Sequence, residues 1–266
     1  MPYLELSSGT RMFFTDDGDG RPVLSLHGWA CDGSDWSWFV PEMPGYRHLV
    51  VDHRGHGRSS IGDGRFSSRL FAEDAAELTD RLGTGPCVVV GHSMGGGVAS
   101  ALAVFRPDLV EALVLIDPGI GGEDDLLARV LDELRADPVK VAATMFGGFS
   151  GAATPRWMPA WHRRRALGTA PETILGAAAG TFLGDDAFAR RVVAERRLAE
   201  RTCPTLTIWA GAQTALAAWD RTLPHGDRDV IEVWAEHGHF LHQEAPERFA
   251  RRVREWLDGI GLGPEV

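Results

Sequence analysis

The chain has 266 residues, 44% of them hydrophobic and 24% charged, which suits one large domain or two small ones and excludes a disordered or low-complexity protein. A net charge of −10 argues against a nucleic-acid partner, because phosphate binding requires clustered positive surface. No run reaches the roughly 18 apolar residues of a membrane span, and Met1 to Phe14 lacks a basic start followed by an apolar run. Neither a membrane partner nor secretion is therefore expected. Cys31, Cys87 and Cys203 are widely spaced with no C-x-x-C pair, so no disulfide framework or metal site is expected and a cytoplasmic location is the default.

Two strands open the chain, Tyr3 to Leu6 and Arg11 to Thr15, joined at Ser8-Gly9, with Asp16 to Gly20 reading as a further turn. Continuous aliphatic runs at Val23 to Leu26, His48 to Val51, Cys87 to Val90 and Ala112 to Ile116 predict strands covered on both faces. A helix is predicted over Ser68 to Leu82, where Leu70, Phe71, Ala75, Leu78 and Leu82 share a face, and another over Gly95 to Phe105. Strands follow at Thr205 to Ala210 and Val230 to Trp234. A last helix begins at Pro246 and presents Phe249, Val253 and Trp256 inward.

Residues 118–201 differ in kind. Short helical patterns broken by Gly and Pro, at Glu123 to Arg135, Pro155 to Leu167 and Asp185 to Glu200, fill an interval far too long for an ordinary loop. The expected organisation is an α/β core of residues 1–117 and 202–266, a mostly parallel twisted sheet flanked by helices, with residues 118–201 inserted as a helical cap.

The strongest chemical signal is Gly91-His92-Ser93-Met94-Gly95 between a predicted strand and a predicted helix. A serine on such a sharp turn needs small neighbours, and its Oγ projects above the sheet where the helix aims free N–H groups.

Here the chain resembles the α/β-hydrolase family over nearly its whole length. His27-Gly28-Trp29 resembles the oxyanion loop, Asp52 to Ser59 the loop after the next strand, Gly91 to Gly95 the nucleophile elbow, and Gly238-His239-Phe240 the loop of the catalytic histidine. The resemblance implies Ser93 as nucleophile, His239 as base and the backbone N–H groups of Trp29 and Met94 as oxyanion donors, with no metal or organic cofactor. His53, His56 and His92 read as packing residues.

The third triad member departs from the usual pattern. The loop after Thr205 to Ala210 reads Gly211-Ala212-Gln213-Thr214, with threonine where relatives carry an acid. Asp117, Asp220, Asp227 and Asp229 are the alternatives. Asp117 leads because it closes a strand at the sheet edge where ligands bind, and Asp220 follows. Zearalenone-type lactonases are similar in putting the acid after the strand that precedes the cap, and in this loop.

Aromatic groups including Trp36, Trp38, Phe146, Phe149, Trp157, Trp161 and Phe182 predict an apolar pocket, with Trp157 and Trp161 as substrate-binding residues. Arg163-Arg164-Arg165 reads as a solvated helix face. The expected activity is hydrolysis of a carboxylic ester or lactone of a small but bulky hydrophobic molecule, macrocyclic lactones included, through an acyl-enzyme. The alternative is a cofactor-independent dioxygenase of the same fold with a His–Asp base. Those enzymes resemble this chain in Gly28-Trp29 with Asp32 soon after, and in an acid near Asp117.

Overall fold

A computed structural model describes residues 2–264. Among them, strands β1 (Tyr3–Glu5), β2 (Arg11–Asp17), β3 (Arg21–Leu26) and β4 (Tyr46–Val51) precede helix α1 (Ser68–Leu82), β5 (Cys87–His92), α2 (Met94–Phe105) and β6 (Val110–Ile116). Helices α3 (Asp124–Ala136), α4 (Pro138–Gly148), α5 (Met158–Gly168), α6 (Pro171–Phe182) and α7 (Arg191–Leu198) follow. The chain then returns through β7 (Thr205–Ala210), α8 (Thr214–Asp220), β8 (Val230–Trp234), α9 (Leu241–Glu244) and α10 (Pro246–Gly259).

The strands form one sheet in the order β1-β2-β4-β3-β5-β6-β7-β8, parallel from β4 to β8, with β2 antiparallel to both β1 and β4. Alternation within strands feeds two cores. Val89, Leu113 and Leu115 face one side, toward α1 and α2, while Val88, Val90, Val114 and Ile116 face the side that α10 closes with Phe249, Val253 and Trp256. This is the α/β-hydrolase fold. Sequence pattern stops β2 at Thr15, but the strand runs to Asp17, because Asp16 and Asp17 pair with Leu49 and His48 and Arg47 binds the Asp16 carboxylate.

Helices α3 to α7 all lie between β6 and β7. Polar contacts tie them to the core. Trp29 Nε1 donates to the Ile174 carbonyl at 2.9 Å, and Ala153 N to the Glu236 carbonyl at 2.8 Å. Arg165 binds the Asp35 carboxylate, with Asp32 Oδ2 at 3.2 Å. The solvated-face reading of the arginine run therefore holds for Arg163 and Arg164, which are exposed, and fails for Arg165, whose partners lie about 130 residues earlier. Among the described residues, no helix is long and apolar enough to cross a membrane.

Candidate active site

Three non-glycine residues among those described adopt positive φ: Ser93 at 53° and Asp117 at 38°, which line one cavity, and Ala30 at 52°, between the cavity residues Trp29 and Cys31. L-residues avoid this region at a cost of order 1–3 kcal/mol each, so their convergence marks a place where the surrounding structure imposes conformation. Ser93 sits between the end of β5 and the start of α2. Its turn is possible only with glycine nearby, since a Cβ on Gly95 would meet the Leu26 and His27 carbonyls.

Asp117 follows β6 directly and is buried. Its backbone N–H donates to the Ile208 carbonyl at 2.8 Å, and its Oδ1 accepts from Ala210 N at 2.8 Å, so β7 fixes both its backbone and one carboxylate oxygen. Oδ2 is left for His239, whose Nδ1 lies 2.5 Å away. A carboxylate acceptor at that distance puts the proton on Nδ1 and leaves Nε2 as a lone pair. His239 is itself held at the backbone, its N–H donating to the Phe149 carbonyl at 2.9 Å.

The loop after β3 approaches from the other side. His27 Nδ1 donates to the Gly28 carbonyl at 2.7 Å, and Nε2 accepts from His53 N at 2.9 Å, which fixes one neutral tautomer and ties the Gly28-Trp29 turn to the loop after β4. Burial holds His27 and His53 well below the usual histidine range. A Cβ on Gly28 would lie 3.2 Å from Ser93 Cβ and 3.0 Å from His92 Nδ1, so this turn lies against the serine too closely for a methyl to fit without its neighbours giving way. Among the described residues, no acceptor is bound by the N–H of Trp29 or of Met94. His92 donates through Nε2 to the His239 carbonyl at 2.9 Å, a packing role.

Ser93, Asp117 and His239 line one cavity of about 280 Å³ with Trp29 and Gln213. Its remaining wall is apolar, supplied by Ile120, Leu126, Leu127, Met145, Phe146, Phe149, Phe182, Leu216 and Phe240 among others. Trp157 and Trp161, expected in this wall, lie outside it: they pack against each other and against Trp38 at the surface. Trp36 is buried in the core on the α10 side. Cys31 and Gln213, to whose side chains the sequence pattern gives no role, add a thiol and an amide to the wall; burial pushes the Cys31 thiol well above its usual range.

The other carboxylates are engaged elsewhere. Asp220 accepts from Trp209 Nε1 at 3.0 Å, and Asp229 from Thr205 N at 2.8 Å. Asp227 lines a separate surface groove, and Thr214 is exposed at the start of α8. Among the described residues, no group of three or more His, Cys, Asp or Glu is placed to hold a metal ion.

The mostly parallel sheet, the strained serine turn and the histidine loop after the last strand define an α/β-hydrolase. The model of the alpha/beta hydrolase family matches residues 23–252, and the chain belongs to that family. Over 157 residues it is 38% identical to a non-heme haloperoxidase of Rhodococcus erythropolis, covering 57% of this chain and 54% of the relative. Over 116 residues it is 39% identical to the lipase LipV of Mycobacterium tuberculosis, covering 44% of each. The chain thus spans about half the length of the curated relatives it matches. A thermophilic esterase from Thermogutta terrifontis, solved with malate bound, is similar over 97% of this chain and 98% of that one, at 29% identity and a TM-score of 0.80.

Proposed function

We propose that the chain is a serine hydrolase of carboxylic esters, lactones included, and that Ser93, His239 and Asp117 form its triad. The observation that carries this reading is the 2.5 Å contact between His239 Nδ1 and Asp117 Oδ2 in the cavity that also contains the strained Ser93. With Nδ1 engaged, His239 Nε2 takes the Ser93 proton as Oγ attacks the ester carbonyl. The oxyanion is received by the N–H groups of Trp29 and Met94, each worth about 10²–10³ in rate for such a donor. The tetrahedral species collapses with proton return from His239 to the leaving alcohol. Water, activated by the same imidazole, then releases the acid from the acyl-enzyme.

The similarity to an esterase and a lipase supports the ester reaction. The cavity's volume, about 280 Å³, falls just below the usual range of ligand sites and favours a compact hydrophobic acyl or aryl group over a macrocycle. Gln213 is the uncharged hydrogen-bonding side chain suited to select among such groups. Helices α3 to α7, as a lid, supply Leu126, Leu127, Met145, Phe146 and Phe182 and so govern substrate choice more than the chemical step.

A panel of aryl esters with increasing acyl length, simple lactones and a macrocyclic lactone tests this, with Ser93→Ala and Asp117→Asn as controls. Turnover should peak at short to medium acyl chains and vanish in Ser93→Ala. Oxygen uptake on a hydroxyquinolone, with every ester left intact, would instead support the cofactor-independent dioxygenase.

A further inference from the structure

Helix α5 has two unlike faces. Met158, His162 and Ala166 are buried, and the His162 ring stacks on Phe240 with centroids 3.5 Å apart. The opposite face and the turn before it expose Arg156, Trp157, Ala160, Arg163, Arg164 and Leu167. Trp157 is 51% exposed, Leu167 46%, and Trp38, from the loop after β3, 36%. Trp38, Trp157 and Trp161 pack on one another with ring centroids between 5.1 and 6.3 Å apart.

Isolated exposed apolar residues are ordinary, but a contiguous cluster of indoles is not. Its charge is equally local. Arg156, Arg163 and Arg164 enter no ion pair among the described residues, and residues 151–170 contain no Asp or Glu, in a chain of net charge −10. Indoles settle at the headgroup level of a bilayer, and arginines beside them are attracted to anionic headgroups.

We propose that this tryptophan–arginine face docks the protein onto an anionic phospholipid surface. The absence of a spanning helix bears on insertion across a bilayer and not on lying in its interface. Charge selects this occupant: pairing the face with a second copy would bring two sets of unpaired arginines together, and a neutral surface would leave them unmatched. Docking places α5 against the surface while its inner face, through Met158, Pro159 and His162, packs on Phe146, Phe149 and Phe240 beside the cavity. Apolar esters partition into that same surface. The proposal concerns binding alone and stands whatever reaction the cavity performs.

Cosedimentation of the full chain with phosphatidylcholine vesicles, with and without phosphatidylglycerol, tests it. The protein should pellet with the anionic vesicles, show a blue-shifted tryptophan emission there, and be released as salt is raised. Arg163→Gln/Arg164→Gln should bind on the order of 25-fold more weakly, at about fivefold per arginine. Trp38→Ala/Trp157→Ala should lose part of the blue shift. Both variants should turn over a soluble substrate as the parent does, because neither pair lines the cavity. No pelleting with anionic vesicles, equal pelleting with pure phosphatidylcholine, or unchanged affinity of the arginine variant overturns the proposal. So does a dimer in light scattering that the tryptophan variant abolishes.

Discussion

Replacing Arg165 by Met leaves Asp35 buried with its charge unmatched. The Asp35 side chain is fully buried and that of Arg165 is 10% exposed, and Asp35 Oδ2 has no hydrogen-bond partner of its own. Removing one member of such a pair costs about 3–5 kcal/mol, most of it the penalty of an uncompensated carboxylate. Burial already raises the Asp35 carboxyl above its ordinary value, against the lowering by Arg165, so the variant raises it further. A carboxyl whose folded value lies above its unfolded one favours folding when protonated, and that advantage is lost as pH rises through the folded value. The destabilisation should therefore be greatest near neutral pH and shrink toward pH 5, by up to about 1.4 kcal/mol per pH unit. Urea denaturation of parent and variant at pH 7.5 and 5.5 measures this, with the parent at each pH removing effects common to both. Arg165→Met/Asp35→Asn should recover most of the loss. A cost under about 1 kcal/mol, or one that does not change with pH, refutes the buried-pair reasoning.

Other outcomes follow from particular contacts. Asp220→Ala should keep nearly full turnover but lose roughly 1–3 kcal/mol of stability, because it leaves the buried Trp209 indole N–H without its acceptor and does not touch His239; a large loss of kcat with unchanged stability contradicts this. Gly28→Ala should lower kcat sharply in a folded protein, since the new methyl presses on Ser93 Cβ and His92; unchanged kinetics would show that the turn tolerates displacement. Acid should destabilise the protein early. His27, His53, His56, His92, His162 and His242 are all lowered, foremost by burial, His56 to about 4 and His162 to about 3. With folded values depressed, stability is full above about pH 6.5 and falls as pH drops toward 4, by up to about 1.4 kcal/mol per unit for each histidine. Thermal unfolding between pH 8 and 4.5 checks this, and a flat profile contradicts it.

The parallel strands are legible in the sequence because each is buried on both faces and so reads as an unbroken aliphatic run, as Cys87 to Val90 does. The serine turn is legible for a related reason, since its glycines and its strand–turn–helix setting are contiguous in sequence. The inserted helices are less so. α6 packs through Thr173, Ile174, Ala177 and Ala178, and its small residues give periodicity little to register. α8 is short and follows β7 through a single turn, so its pattern is equally faint. The roles of Trp157, Trp161 and Arg165 are illegible locally, because which face of α5 turns inward is decided by partners such as Asp35 and Phe240, which lie many residues away. Thr214 shows that the loop after β7 carries no acid, but the contact of Asp117 with His239 spans 122 residues, and only the folded sheet brings it about.

The most direct measurement is the mass of the protein after reaction with an aryl fluorophosphonate, which phosphonylates an activated serine to a stable adduct. One adduct is expected, on the peptide that carries Ser93, appearing as ester turnover disappears. Ser93→Ala should take up none, and Asp117→Asn should react far more slowly, in line with a loss of about 10⁴ in kcat when the orienting carboxylate is replaced. An adduct on another residue, or full ester turnover by folded Ser93→Ala protein, would contradict the assignment of Ser93 as the nucleophile.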